Sequence, residues 1–259
     1  MTVFHYEWKR SRKYILIWGL SLAVCIFSMI PVYYSMIETP ELLPKNFAEG
    51  GFFETVGISL ALLLEPLGMY GFLNAFFALA GGIFGMHFAL SLFTKECTEN
   101  TAEYLFTKPL GRNQIVIGKA AANVCNLCIL AAVSGVCTYY TAIVPLGGLD
   151  QKNAALLTTV GLFLTEIILY SIGFWVSSLC KSYKQAMLFG FGALIVFYCI
   201  YFVAEYLCIP ALFYLTPLKY FDVYAVAKDG ISLMFLLISG VITFLSIFFA
   251  KNRWAGKEM

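Results

Sequence analysis

Six stretches of the chain stay apolar for the length that a bilayer demands, about 20 residues in helix. Residues 14–34, 67–93, 120–146, 186–203 and 231–250 carry no charge, and 154–180 carries one, Glu166. The runs are continuous, without the period-2 alternation of barrel strands, so they predict helices. The fold class is therefore all-α, a polytopic membrane protein forming a single transmembrane domain over residues 1–259 with those six spans.

The polar pattern between the runs adds shorter elements. Residues 35–66 and 204–230 are the longest connections on one side, too short to hold a folded ectodomain. The first contains an apolar piece, 50–64, too short to span; it reads as an interfacial or re-entrant segment with Glu54 and Glu65 near water. The second carries Pro210 and Pro217 and predicts two short broken helices. Ahead of the first span, Phe4 and Trp8 lie at i and i+4 on one helical face. Lys9, Arg10, Arg12 and Lys13 follow, suited to anionic headgroups. That segment predicts an interfacial helix; a plain basic flank of the span is the alternative. A cleaved signal peptide is disfavoured, since its apolar core is roughly 7–15 residues.

Composition narrows the class further. Apolar residues make up 61% and charged residues 12%, against roughly 25% charged in soluble domains. This excludes a soluble enzyme, a disordered chain, a nucleic-acid-binding protein and a disulfide scaffold. The net charge of +2 says little, but its distribution orients the chain. With six spans, both termini share a side with residues 94–119 and the 180–186 turn, and that side holds 13 of the 17 basic residues. The positive-inside rule makes it cytoplasmic, giving a multi-pass cell-membrane protein.

Catalytic raw material is scarce. The nearest approach to a phosphate loop, Gly111 to Lys119, has the wrong spacing and Ala120 where a hydroxyl should bind Mg²⁺. The only histidines are His5 and His87, which argues against a catalytic metal. Cys125 and Cys128 have zinc-like spacing but no second pair, and most of the eight cysteines sit in spans as packing groups.

The stretch from Thr94 to Lys119 carries more than flank chemistry. Thr94 suits an N-cap, Glu96 and Glu99 suit a first turn, and Pro109 with Gly111 would end the helix. Tyr104, Leu105 and Phe106 form an apolar cluster that a water-exposed helix has little reason to display. They face a partner or dip into the lipid interface.

Glu96, Asn100-Thr101, Glu103, Leu105, Pro109-Leu110, Arg112, Ile115 and Gly118-Lys119 together resemble the signature of ABC-2 type permeases, the membrane subunits of type V ABC exporters. Asn100 stands where that pattern has Gly, and Gly111 where it has Ser before Arg112. The six-span order with this loop second is similar to the family over nearly the whole chain. The resemblance implies a coupling helix seated in a separate ATPase subunit. Tyr104, Leu105 and Phe106 would be its anchors, and Glu96, Thr101, Glu103, Pro109 and Arg112 would complete the interface. It implies a dimer with a second permease subunit, homomeric or heteromeric, and no cofactor on this chain, with ATP and Mg²⁺ on the partner ATPase. The N-terminal segment with Phe4, Trp8 and Arg10 would be the family's elbow helix.

Within the spans, Glu166 costs roughly 2.5–3.5 kcal/mol if buried alone. It is either a polar point in a pathway or interface, or a protonated carboxyl bonding Thr165 or Ser171. Asn74, Asn123, Asn126 and His87 suit interhelical hydrogen bonds better than substrate contacts. Gly81 and Gly85 permit close helix packing. The reading is an exporter subunit, not itself an enzyme, moving an amphipathic or hydrophobic peptide or drug; exporters of phenol-soluble modulins are the best single match. The alternatives are a protease-like intramembrane enzyme and a non-transporting scaffold.

Overall fold

The computed structural model describes residues 2–38, 66–98, 111–140, 149–207 and 209–255. Six long helices dominate it: α1 (Thr2–Glu38), α2 (Pro66–Thr98), α3 (Arg112–Thr138), α4 (Leu149–Leu179), α5 (Tyr183–Leu207) and, last in the chain, α8 (Leu233–Ala255). Each contains a window long and apolar enough to cross a membrane. Between α5 and α8 lie the short helices α6 (Pro210–Phe213) and α7 (Val223–Asp229), with a 3-10 turn at Pro217–Lys219 between them. The six spans and the broken character of the 204–230 connection agree with the sequence pattern.

The helices outrun the apolar windows at several ends. Residues 2–13 are helical, and they continue into the first span as one helix, α1, with no break separating an elbow. Lys9, Arg10, Arg12 and Lys13 lower hydropathy without lowering helix propensity. Thr94 is not an N-cap: α2 continues to Thr98, and the Thr94 hydroxyl bonds back to the Leu90 carbonyl oxygen at 2.5 Å. No breaker precedes Thr98, so nothing ends the helix there. Residues 112–119, expected in the loop, form the first two turns of α3, with Gly111 extended at its N-cap. Residues 99–110 of the proposed coupling segment lie outside the described residues. The 50–64 segment lies outside the described residues.

Packing centres on α2 and α4, which share the largest interface. Glycines set that approach. Gly82 faces Leu169, Gly85 faces the Glu166 backbone and Tyr170, and Gly173 faces Met86 and Ala89. α1 packs on α3, α8 on α4, and α5 on α2 through Gly190 and Leu90. One apolar cluster joins α1 to α4 around Ile26, Phe84 and Leu127; another joins α2, α4 and α5 around Met86, Leu90 and Leu194. α5 and α8 bury least, presenting Leu188, Phe189, Ile195, Leu237 and Phe244 outward. Such faces suit lipid or a partner subunit. Gly230, at φ 78°, ends α7 in a conformation that side chains resist, and α8 follows.

Candidate functional site

Three levels of the bundle carry polar chemistry. At the end holding the N-terminus, α1, α2 and α3 meet at Lys119. This lysine is 4% exposed. Its Nζ donates to the Leu92 carbonyl oxygen at 3.1 Å and pairs with Glu7 at 3.6 Å. Next to it in the chain, Gly118 lies against Val3 and the Phe4 backbone. Phe4 stacks on Trp8 with ring centroids 6.2 Å apart, and the Arg12 guanidinium sits 5.1 Å from the Trp8 ring. Arg10 is exposed. The N-terminal turns are thus docked on the first turns of α3.

The proposed ATPase-facing residues lie beside this joint in sequence. Glu96 belongs to the last turns of α2, and Arg112 opens α3; their side chains are outside what the structure describes. Thr101, Glu103, Tyr104, Leu105, Phe106 and Pro109 lie outside the described residues. What is described is the frame that carries them: both flanking helices are clamped together by the Lys119–Leu92 hydrogen bond.

Midway along the bundle, Glu166 is 1% exposed and turned toward α2. Its carboxylate fills the space above Gly81, where any added Cβ would collide with it. Its Oε2 atom has no hydrogen-bond partner. Thr165 and Ser171 do not donate to it; their hydroxyls bond back to Gly161 and Ile168 on the same helix. Asn123 donates from Nδ2 to the Phe88 carbonyl oxygen at 3.3 Å, an interhelical bond between α3 and α2. Asn126 is fully buried with both amide atoms unpartnered. His87 is half-buried, edge-on to Phe88.

At the opposite end, the cap formed by α6, the 3-10 turn and α7 holds a second charged joint. Lys219 Nζ pairs with Glu205 at 2.7 Å and Asp222 at 3.2 Å. It also lies 5.3 Å from the Phe213 ring centroid and 5.8 Å from that of Tyr201. Burial pulls the Lys219 ammonium down, but the Asp222 and Glu205 carboxylates more than offset this, so its pKa stands above the ordinary 10.5. Thr216 donates to the Phe197 carbonyl oxygen at 2.9 Å and Tyr220 to that of Tyr214 at 2.6 Å, fastening the cap to α5 and to itself. A pocket beneath it is lined by Asn74, Thr165, Tyr198, Tyr201, Phe221 and Asp222 among others. Asn74, noted in the sequence as an intraspan polar residue, therefore belongs to this end.

Sequence reasoning singled out neither lysine as a structural centre. Lys119 was visible only as a flank charge and a signature position. Lys219 and Asp222 stand three apart in an aromatic-rich stretch, which is a signal, but Glu205 comes from α5 and no local spacing joins it.

Six apolar helices with their polar groups turned inward define a multi-pass membrane protein. A model of the ABC-2 family transporter protein matches residues 1–244, nearly the whole length, and the chain belongs to that family. It is an ABC-2 type permease, the transmembrane subunit of an ABC transporter and not itself the catalytic one, working with ABC ATPases in a membrane. The protease-like and scaffold readings give way to this. No curated protein matches the chain significantly.

Proposed function

We propose that the chain is the membrane half of an ATP-driven exporter, dimeric with a second permease subunit, moving amphipathic or hydrophobic molecules such as peptides out of the cell. The segment between the second and third spans, Thr94 to Lys119, serves as the coupling element, with Tyr104, Leu105 and Phe106 as apolar anchors in an ATPase groove. Glu96, Thr101, Glu103, Pro109 and Arg112 flank those anchors. ATP and Mg²⁺ belong to the ATPase subunits, and the end of the bundle with Lys119 faces the cytoplasm.

One observation carries this reading. The two helices that this connection joins, α2 and α3, are tied to each other and to α1 at Lys119, about two turns from their ends. A push on that connection would be delivered to three helices at once rather than to a slack loop. The positive-inside distribution supports the orientation, and the aromatic, nearly uncharged interior supports the substrate class.

Inverted membrane vesicles containing the chain and its cognate ATPase test the reading. ATP should drive uptake of a fluorescent amphipathic helical peptide, and ADP should not. Uptake indifferent to ATP would defeat it. Orientation has its own test: in a cysteine-free background, Glu103→Cys should resist membrane-impermeant thiol reagents in intact cells. Ready labelling would reverse the topology.

A further inference from the structure

The pocket under the cap has a chemistry that the transport reading does not use. Its enclosed space is about 20 Å³, room for one group the size of a water molecule or an ammonium. Its apolar walls are Ala75, Ala78, Leu162 and Leu218, with the rings of Tyr201 and Phe221. Its polar lining is Asn74, Thr165, Tyr198 and Asp222. Asn74 is 7% exposed. The Tyr198 hydroxyl is buried and has no partner. A carboxylate, an amide and two hydroxyls supply more acceptors than donors, and the Thr165 proton is already engaged with Gly161. The complementary guest is a compact donor.

Lys219 shows what this chemistry prefers. Its ammonium sits against two groups that also line the pocket, Asp222 and Tyr201. Carboxylate and ring face together are the elements of ammonium recognition. The same lysine is shared between Asp222 and Glu205, so Asp222, the one carboxylate lining the pocket, is only partly neutralised by it. An anion would have to face the Asp222 carboxylate, and a wholly apolar guest would leave the Tyr198 hydroxyl without a partner.

We propose that this pocket binds an ammonium group carried on an apolar or aromatic molecule, with Asp222 as counter-ion, Tyr198 and Asn74 as hydrogen-bonding groups, and Tyr201 and Phe221 as ring walls. It rests on the exporter reading for its meaning: it gives that reading a cationic amphipathic substrate, or the cationic side chain of a peptide. The enclosed space is sized for the charged group alone, with the rest of the molecule at the mouth.

The experiment uses the full chain in nanodiscs of phosphatidylcholine, which carries no net charge, with tritiated phenethylamine as probe at pH 7.5. Saturable binding should be displaced by unlabelled phenethylamine and not by 2-phenylethanol at equal concentration. Asp222→Asn should weaken binding roughly tenfold or more, the scale of a lost charge-assisted contact. Asn can replace Asp222 as the N-cap of α7, but the change also removes one of the two carboxylates that hold Lys219, so the variant's thermal unfolding is measured alongside its binding. Tyr198→Phe removes one hydroxyl and should weaken binding several-fold even if Asp222→Asn proves unstable. Absence of saturable binding, equal displacement by the alcohol, or wild-type affinity in Tyr198→Phe and any folded Asp222→Asn protein would overturn the proposal. The assay contains no ATPase, so those results would leave the exporter reading standing, whereas failed ATP-driven uptake would leave the pocket standing.

Discussion

The two ends of the bundle each hold a buried lysine, and they hold it differently. Lys219 has two close carboxylates at 2.7 and 3.2 Å and two aromatic rings. Lys119 has the Glu7 carboxylate at 3.6 Å and a helix carbonyl at 3.1 Å. The first arrangement fixes a cap of short helices that could not stay folded on their own propensity. The second joins three long helices, each already stable in a bilayer, and its Glu7 contact is longer than either carboxylate contact of Lys219. A joint of that kind can change partners at small cost, which suits the end where a partner's motion would enter.

Breaking the cap should have the largest effect. Lys219→Met leaves Glu205 and Asp222 beside each other without their shared cation, and should cost about 3 kcal/mol in thermal unfolding experiments. A loss under about 1 kcal/mol would erase the distinction between the ends. The pH dependence follows the same joint. The folded pKa of Lys219 lies above its ordinary 10.5, so its stabilisation is fully present below that value. It should decline only as pH rises through the raised folded pKa, and Lys219→Met should lack that alkaline decline.

The second effect lies between the ends. Gly81→Ala places a methyl in the space of the Glu166 carboxylate and should cost roughly 1–3 kcal/mol by overpacking α2 against α4. A neutral result would mean that this interface yields, and that the two ends are not rigidly connected. Lys119→Met comes third, at about 1 kcal/mol, because Glu7 keeps partial access to water. Its sharper expected effect is on ATP hydrolysis by the assembled complex. Unchanged ATPase stimulation would remove Lys119 from the coupling route. Glu166→Gln should change stability least, since Gln keeps the shape that fills the Gly81 space. An altered pH profile of transport in this variant would give the carboxyl a role beyond packing, whereas a profile identical to wild type would confine it to packing.

The fold was legible where hydropathy alone decides it. All six spans appear as charge-free or nearly charge-free runs, because a bilayer imposes length and apolarity on each helix independently. Helix ends were less legible. The basic residues before Tyr14 and the polar residues 112–119 interrupt apolarity but not helicity, so both helices begin earlier than their windows. Thr94 looked like a start because acids follow it, yet a start requires the preceding helix to stop, and nothing there stops it. Glu166 and the Gly81–Gly85 pair were each visible in sequence. Their meeting was not, because the face that α2 turns to α4 is fixed by packing among all the helices. The charged joints failed to show for the same reason: Glu7 with Lys119, and Glu205 with Lys219, are contacts between elements.

The central claim is that this chain transmits ATP-driven motion through residues 99–110. The most direct measurement purifies the chain from its native membrane, as wild type and as Leu105→Asp, and assays each preparation for bound ATPase and vanadate-sensitive ATP hydrolysis. Wild type should carry both. Leu105→Asp should reach the membrane in normal amount, because the site lies outside the spans, and should lose both, because a buried apolar anchor has become a desolvated charge. Equal ATPase content and hydrolysis in the two preparations would contradict the account.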